Sequence, residues 1–134
     1  MTAAAAQPTR ALATTLASIA GQADAQGLTY LSVYASLQSA DTHLRTGNFQ
    51  QARQDVERTL ARAETLGLRE LQARAEYVLA SAFRAANDPQ SRRHYAAAQQ
   101  LFDEMKREEG NRSVLERADL KAIYAECVQW SKAA

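Results

Sequence analysis

Apolar and small residues recur along this chain at spacings of three and four. Ala11, Leu12, Leu16, Ile19 and Ala20 form one such set, and Tyr30, Tyr34, Leu37, Ala40 and Leu44 form a second. Ala52, Val56, Thr59, Ala63 and Leu66 follow, and then Ser91, Tyr95, Ala98, Phe102 and Met105. This is the period of helices that bury one face. Breaker residues divide the pattern into six segments. Pro8 suits a first helical turn, where its missing N–H has no partner to lose. Helix one then spans about 8–26, and Gly27 can adopt the left-handed conformation that ends it. Helix two covers about 29–46 and stops at Gly47. Asn48 and Gln51 have the spacing of a capping box for helix three, which ends at Gly67. Helix four covers about 68–86. Asp88-Pro89 gives a cap followed by a first-turn proline, starting helix five. That helix stops at Gly110. Ser113 and Glu116 would cap helix six, which runs to near Lys132. The links are short, so neighbouring helices are expected to be antiparallel.

The segments also repeat. Gly27-Leu28 and Gly67-Leu68 lie 40 residues apart. The same offset sets Leu16 on Val56, Ala23 on Ala63, Leu31 on Leu71, Ala35 on Ala75, and Ala40 on Ala80. A fixed period of this length predicts stacked helical units. Helices three and five match at an offset of 39, yet Gly110 falls 43 residues beyond Gly67. The four-residue difference is about one helical turn. It places an extra turn near the charged run Lys106 to Glu109, which reads as a solvated face.

Composition narrows the class. A chain of 134 residues is one domain in size, here 8–134 after a loose tail at 1–7. Sixteen basic and fifteen acidic residues leave a formal charge of +1, so no net field gathers nucleic acid or an anionic membrane. The single cysteine, Cys127, cannot close an internal disulfide, which fits a reducing compartment. The Ala-rich start has no basic region or long apolar run, so it does not read as a signal peptide. No stretch approaches a transmembrane span. The cytoplasm is the expected location.

The stretch from Ser39 to Leu66 resembles a tetratricopeptide (TPR) repeat, on Ala40, Gly47-Asn48-Phe49, Ala52, Val56 and Thr59. A second copy reads Leu79-Ala80, Phe83, Asn87-Asp88-Pro89, Ser91, Tyr95 and Ala98. The period exceeds the roughly 34 residues of the standard repeat. Ser36, Ser39 and His43 stand where large apolar residues are usual. The run Leu44-Arg45-Thr46-Gly47-Asn48 with Ala52-Arg53 is also similar to TPR arrays of large bacterial signalling proteins, as is the ending from Arg117 to Tyr124. The resemblance implies an all-α, TPR-like α-solenoid fragment of six antiparallel helices in three hairpins. It implies a protein-interaction scaffold whose concave face is lined by the first helix of each repeat. Tyr34, Leu37, Gln38, Asp41 and Arg45 would then face the groove from helix two. Arg74, Tyr77, Val78, Ser81 and Arg84 would do so from helix four. The carboxylate clamp of chaperone-binding TPR domains is not expected, because Leu37, Asp41 and Val78 replace three of its residues.

Candidate chemistry is sparse. His43, His94 and Cys127 fall on three different helices, without metal-ligand spacing or a phosphate-cradling loop. His43 reads as partly buried packing, His94 as exposed, Cys127 as a small core residue, and Trp130 as the seal of the last hairpin. No catalytic, cofactor or metal residues are expected. The stripe of Tyr34, Leu37 and Leu44 is either core under helix one or an open anchor for a partner. The expected function is non-catalytic binding of a partner peptide or helix, through Tyr34, Leu37, Asp41, Arg45, Arg74, Tyr77 and Arg84. The arginines have an alternative role, pairing with nearby acids such as Asp41. Two further readings stay open. The chain is a terminal regulatory segment of a longer TPR array, or it forms a homo-oligomer through a poorly capped end such as helix one.

Overall fold

The computed structural model describes residues 9–109 and 118–132. Its helices are α1 (Arg10–Ala25), α2 (Thr29–Arg45), α3 (Phe49–Leu66), α4 (Arg69–Ala85), α5 (Gln90–Glu109) and α6 (Ala118–Ser131). Among the described residues there is no strand. The first four links hold only two to four residues, so each helix folds back along its predecessor. Consecutive helices pack together. In addition α2 packs on α4 and α4 on α6, whereas the backbones of α1, α3 and α5 do not come close to one another. The result is two layers. The layer α2–α4–α6 is the closer-spaced one.

Helix α4 is the hub. Its Leu71, Ala75, Val78, Leu79 and Phe83 close a core with Val33, Leu37 and Ala40 of α2 and Val56, Leu60 and Ala63 of α3. Its Ala73 meets Phe102, Met105 and Leu120, and its Ala80 meets Tyr95, Ala98 and Cys127. Alanines at 73 and 80 lie two turns apart on one face, so α5 and α6 can approach closely. Each aligned pair Ala23/Ala63, Ala35/Ala75 and Ala40/Ala80 is buried at both members.

One C-terminal device recurs. Gly27, Gly47 and Gly67 have φ of 75°, 83° and 69°. The N–H that follows each donates back to Ala23, His43 or Ala63 at 2.8–3.0 Å, a Schellman closure that satisfies orphan carbonyls. At the end of α4 the left-handed residue is Asn87, φ 57°, and Asp88 N–H bonds Phe83 O at 2.9 Å. Asp88 then receives Gln90 N–H on its carboxylate at 2.9 Å, as its sequence position predicts.

Several expectations need correction. Helix α1 begins at Arg10, with Thr9 Oγ1 accepting Leu12 N–H at 3.0 Å. Pro8, Gly110, Ser113 and Glu116 lie outside the described residues. The Asn48–Gln51 box does not form. Asn48 makes no side-chain cap, its amide lying 3.4 Å from His43 Nδ1, and Gln51 donates to Asp55 at 2.9 Å instead. The stripe of α2 divides: Leu37, Ala40 and Leu44 are core, covered by α3 and α4 rather than α1, whereas Tyr30 and Tyr34 stay exposed. Helix α1 meets another side of α2, where Ser39 Oγ donates to Ala13 O at 2.9 Å. His94 is not exposed: it bonds Glu76 at 2.7 Å and stacks on Phe83 at 5.2 Å. The charged run that ends α5 does lie in solvent at Lys106, Arg107 and Glu108. There Arg69 grips the Glu108 carboxylate with two bonds of 2.6 Å, and that bonding holds its pKa down.

Candidate interaction face

Alternate helices bring Asp41 of α2, Tyr77 of α4 and Glu126 of α6 into one row. Tyr77 donates its hydroxyl to the Glu126 carboxylate and meets the Tyr95 ring edge-on at 6.1 Å. The Asp41 charge also reaches it. Burial, the Glu126 bond and these acids keep the phenol protonated well beyond its ordinary range. Burial likewise raises the pKa of Asp41, against the opposing pull of Arg45, whose Nε bonds the carboxylate at 3.0 Å.

Towards the C-terminal ends of these helices the face becomes cationic and aromatic. The Arg84 guanidinium lies 3.9 Å from the centre of the Trp130 ring, within cation–π range. Its Nη1 is 3.5 Å from Tyr95 Oη, which shares a 3.0 Å hydrogen bond with Ser81. At the other end of α2, Tyr30 and Tyr34 stack with centroids 6.4 Å apart, and they are 51 % and 36 % exposed.

The groove residues expected from sequence therefore divide. Tyr34, Arg45 and Arg84 are exposed, and Asp41 and Tyr77 are half-buried. Leu37 is a core residue and cannot touch a partner. Arg74 is buried as well, its Nε 3.2 Å from Glu70 Oε2. Both sit where α2 and α4 are covered by their neighbours, which spacing alone does not reveal. The Asp41–Arg45 and Glu70–Arg74 pairs show the arginines bonded to nearby acids. Sequence reasoning missed Tyr30 and Glu126 and gave Trp130 only a sealing role. Trp130 does pack on the Tyr95–Cys127 cluster, while one ring face carries Arg84. Helix α6 has no counterpart at the 40-residue offset, so no repeat signal pointed to its side chains.

Two grooves open on the other layer. One, about 320 Å³, runs over Ala20, Gly21, Ser36 and Thr59. Its charges close on each other, Arg62 with Asp24 at 2.5 Å and Arg58 with Asp55 at 3.0 Å. The other, about 570 Å³, lies beside Phe49, where Arg53 covers the Phe83 ring at 5.1 Å. His43 lies 3.9 Å from Asp55, and Cys127 is fully buried, its thiol pushed up to about 12 by that burial. Among the described residues no three His, Cys, Asp or Glu side chains cluster as a metal site, and no helix is long and apolar enough to cross a membrane.

Fold and face together define a class: an all-α stack of antiparallel helices with one open face built from alternate helices. Compared with known proteins, the chain matches no family model, no curated protein and no solved structure.

Proposed function

We propose that this chain is a non-catalytic, TPR-like interaction module that receives a peptide or helix of a partner protein on the α2–α4–α6 face. The observation that carries this reading is the exposed Tyr30–Tyr34 stack on the same face as Arg45 and the Arg84–Trp130 pair. Tyrosine and tryptophan supply large contact area with little side-chain entropy to lose, and together with arginine they dominate binding hot spots. The two arginines favour a partner carrying acidic as well as apolar side chains. The TPR-like reading draws further support from the 40-residue period and the alternation of helix contacts. A cytoplasmic setting fits the lone buried thiol.

A photo-crosslinking side chain in place of Tyr34 tests this in cells. It should capture a partner that the same side chain at position 53, on α3, does not. With that partner in hand, Tyr34→Ala and Arg84→Glu should each weaken binding about tenfold or more. Arg53→Glu should leave it unchanged. Arg74→Glu is not a usable probe, because a buried unpaired acid disrupts folding. Equal crosslinking from positions 34 and 53, or equal damage from Arg53→Glu and Arg84→Glu, would overturn the assignment.

A further inference from the structure

The arginines of this chain divide by what they meet. Arg45, Arg53, Arg58, Arg62, Arg69 and Arg74 each pair with a carboxylate at 2.5–3.8 Å. Arg84 and Arg92 pair with none among the described residues, yet both line one cavity of about 460 Å³ where α4 gives way to α5. The repeat shows why. Arg53, the counterpart of Arg92, has Glu57 four residues on, whereas Arg92 has Ala96. The counterpart of Arg84 is Leu44, which packs on the core of α2, α3 and α4. An arginine thus stands where the repeat needs only an apolar contact. It is held over the Trp130 ring at 3.9 Å. Of its five N–H groups, one has an acceptor among the described residues, the Tyr95 hydroxyl at 3.5 Å. The side chains of Arg92, Asn87 and Ser91, which also line the cavity, make no hydrogen bond among the described residues. The carboxylate there, Asp88, has one oxygen on the Gln90 N–H at 2.9 Å and the other 3.4 Å from the Gln90 side-chain amide. The cavity therefore holds two guanidinium groups, an amide and a hydroxyl, with no protein anion to receive them.

We propose that this cavity binds a phosphorylated side chain of the partner, so that the α2–α4–α6 face receives a phosphopeptide. The inference rests on the reading of that face and deepens it. A phosphate monoester carries close to two negative charges at neutral pH and three strong acceptor oxygens. Arg84 and Arg92 meet the charge with paired N–H donors, and Asn87 and Ser91 supply further donors. A carboxylate has one charge and two oxygens, and would leave part of this set without an acceptor. Trp130 holds one guanidinium in place beforehand, which lowers the entropy lost on binding. The cavity adjoins the Arg84–Trp130 end of the face. A peptide anchored there continues over Ser81 and Tyr77, about one and two turns back along α4.

The probe is N-acetyl-O-phosphoserine N-methylamide, titrated into the full chain at low ionic strength. Calorimetry gives the affinity. Trp130 is the one tryptophan of the chain, so its fluorescence places the binding. Both signals should saturate together. The unphosphorylated serine compound should not bind, and the glutamate analogue should bind about tenfold more weakly. Arg84→Gln and Arg92→Gln should each weaken phosphoserine binding about tenfold or more. Arg84→Lys should recover little of it, since an ammonium has no planar fork. Both arginines are exposed, so circular dichroism should not move. Arg92→Gln keeps the test sound should Arg84→Gln disturb the ring. Arg93→Gln removes the same charge one residue away and should leave the affinity unchanged. The proposal is overturned if phosphoserine gives neither heat nor an emission change, or if glutamate binds as well. Equal losses from Arg93→Gln and Arg92→Gln would also overturn it, because the attraction would then be diffuse. So would inorganic phosphate binding more tightly than phosphoserine, since the cavity would then hold a free ion. Crosslinking from position 34 tests the face independently. If position 34 captures a partner and phosphoserine does not bind, the face stands and the cavity proposal falls. If phosphoserine binds and position 34 captures nothing, the face falls instead.

Discussion

At the scale of single residues, the packing of α6 on α4 and α5 has a signature in proton affinity. Tyr77, Tyr124 and Cys127 all hold their protons more tightly in the fold than ordinary phenols and thiols do. For Tyr77 and Cys127 burial is the main cause. For Tyr124, raised to about 12, it is the 2.7 Å bond donated to Asp103. Above pH 9 the unfolded chain releases these protons before the folded chain does. The unfolded state then binds fewer protons, so stability falls as pH rises. The contribution is whole below the unfolded values and is lost on the way to the folded ones. Urea midpoints should therefore stay level from neutral pH to about 8.5 and decline steadily between about 9 and 11. Cys127→Ala, compared at each pH, should show a shallower decline at its onset. A flat profile across that interval would mean that these groups are not held as the structure places them.

At the scale of elements, the helix ends were legible because backbone chemistry writes them plainly. Gly27, Gly47 and Gly67 each take the left-handed conformation their positions require. Asp88 was legible for the same reason, as a carboxylate before a proline and ahead of an apolar period. Asn48 shows the limit. Its spacing to Gln51 satisfied the capping pattern, yet His43 and Asp55 offered both side chains other partners. A local motif competes with tertiary neighbours that spacing does not display. Asp88 keeps its cap, because the Gln90 amide side chain approaches its other carboxylate oxygen at 3.4 Å. Asp88→Ala should remove the acceptor of Gln90 N–H and cost about 0.5–2 kcal/mol in urea unfolding. An unchanged midpoint would show that α5 is capped from elsewhere.

At the scale of the whole molecule, the all-α stack was readable from period and punctuation, while the face was readable only in part. Helix α4 touches α2, α3, α5 and α6, so most of its circumference is covered and Arg74 is buried with it. Among the described residues α2 meets only α1, α3 and α4, and Tyr34 stays open although its spacing resembles that of core residues. Position in the stack decides which copy of a repeated residue is buried. Leu31 and Leu71 make that claim measurable, since they share a side chain, a helix register and a place in the repeat. Leu71→Ala should leave a cavity among α2, α3 and α4 and cost about 2–5 kcal/mol. Leu31→Ala in the isolated chain should cost about 0.5 kcal/mol or less, because its side chain already faces water. Urea titration of the two variants reads the difference directly, with unchanged slopes confirming that the same surface is exposed on unfolding. Equal losses would mean that Leu31 is as buried as Leu71. In that case the end of the stack would be closed, and the repeat frame would be wrong.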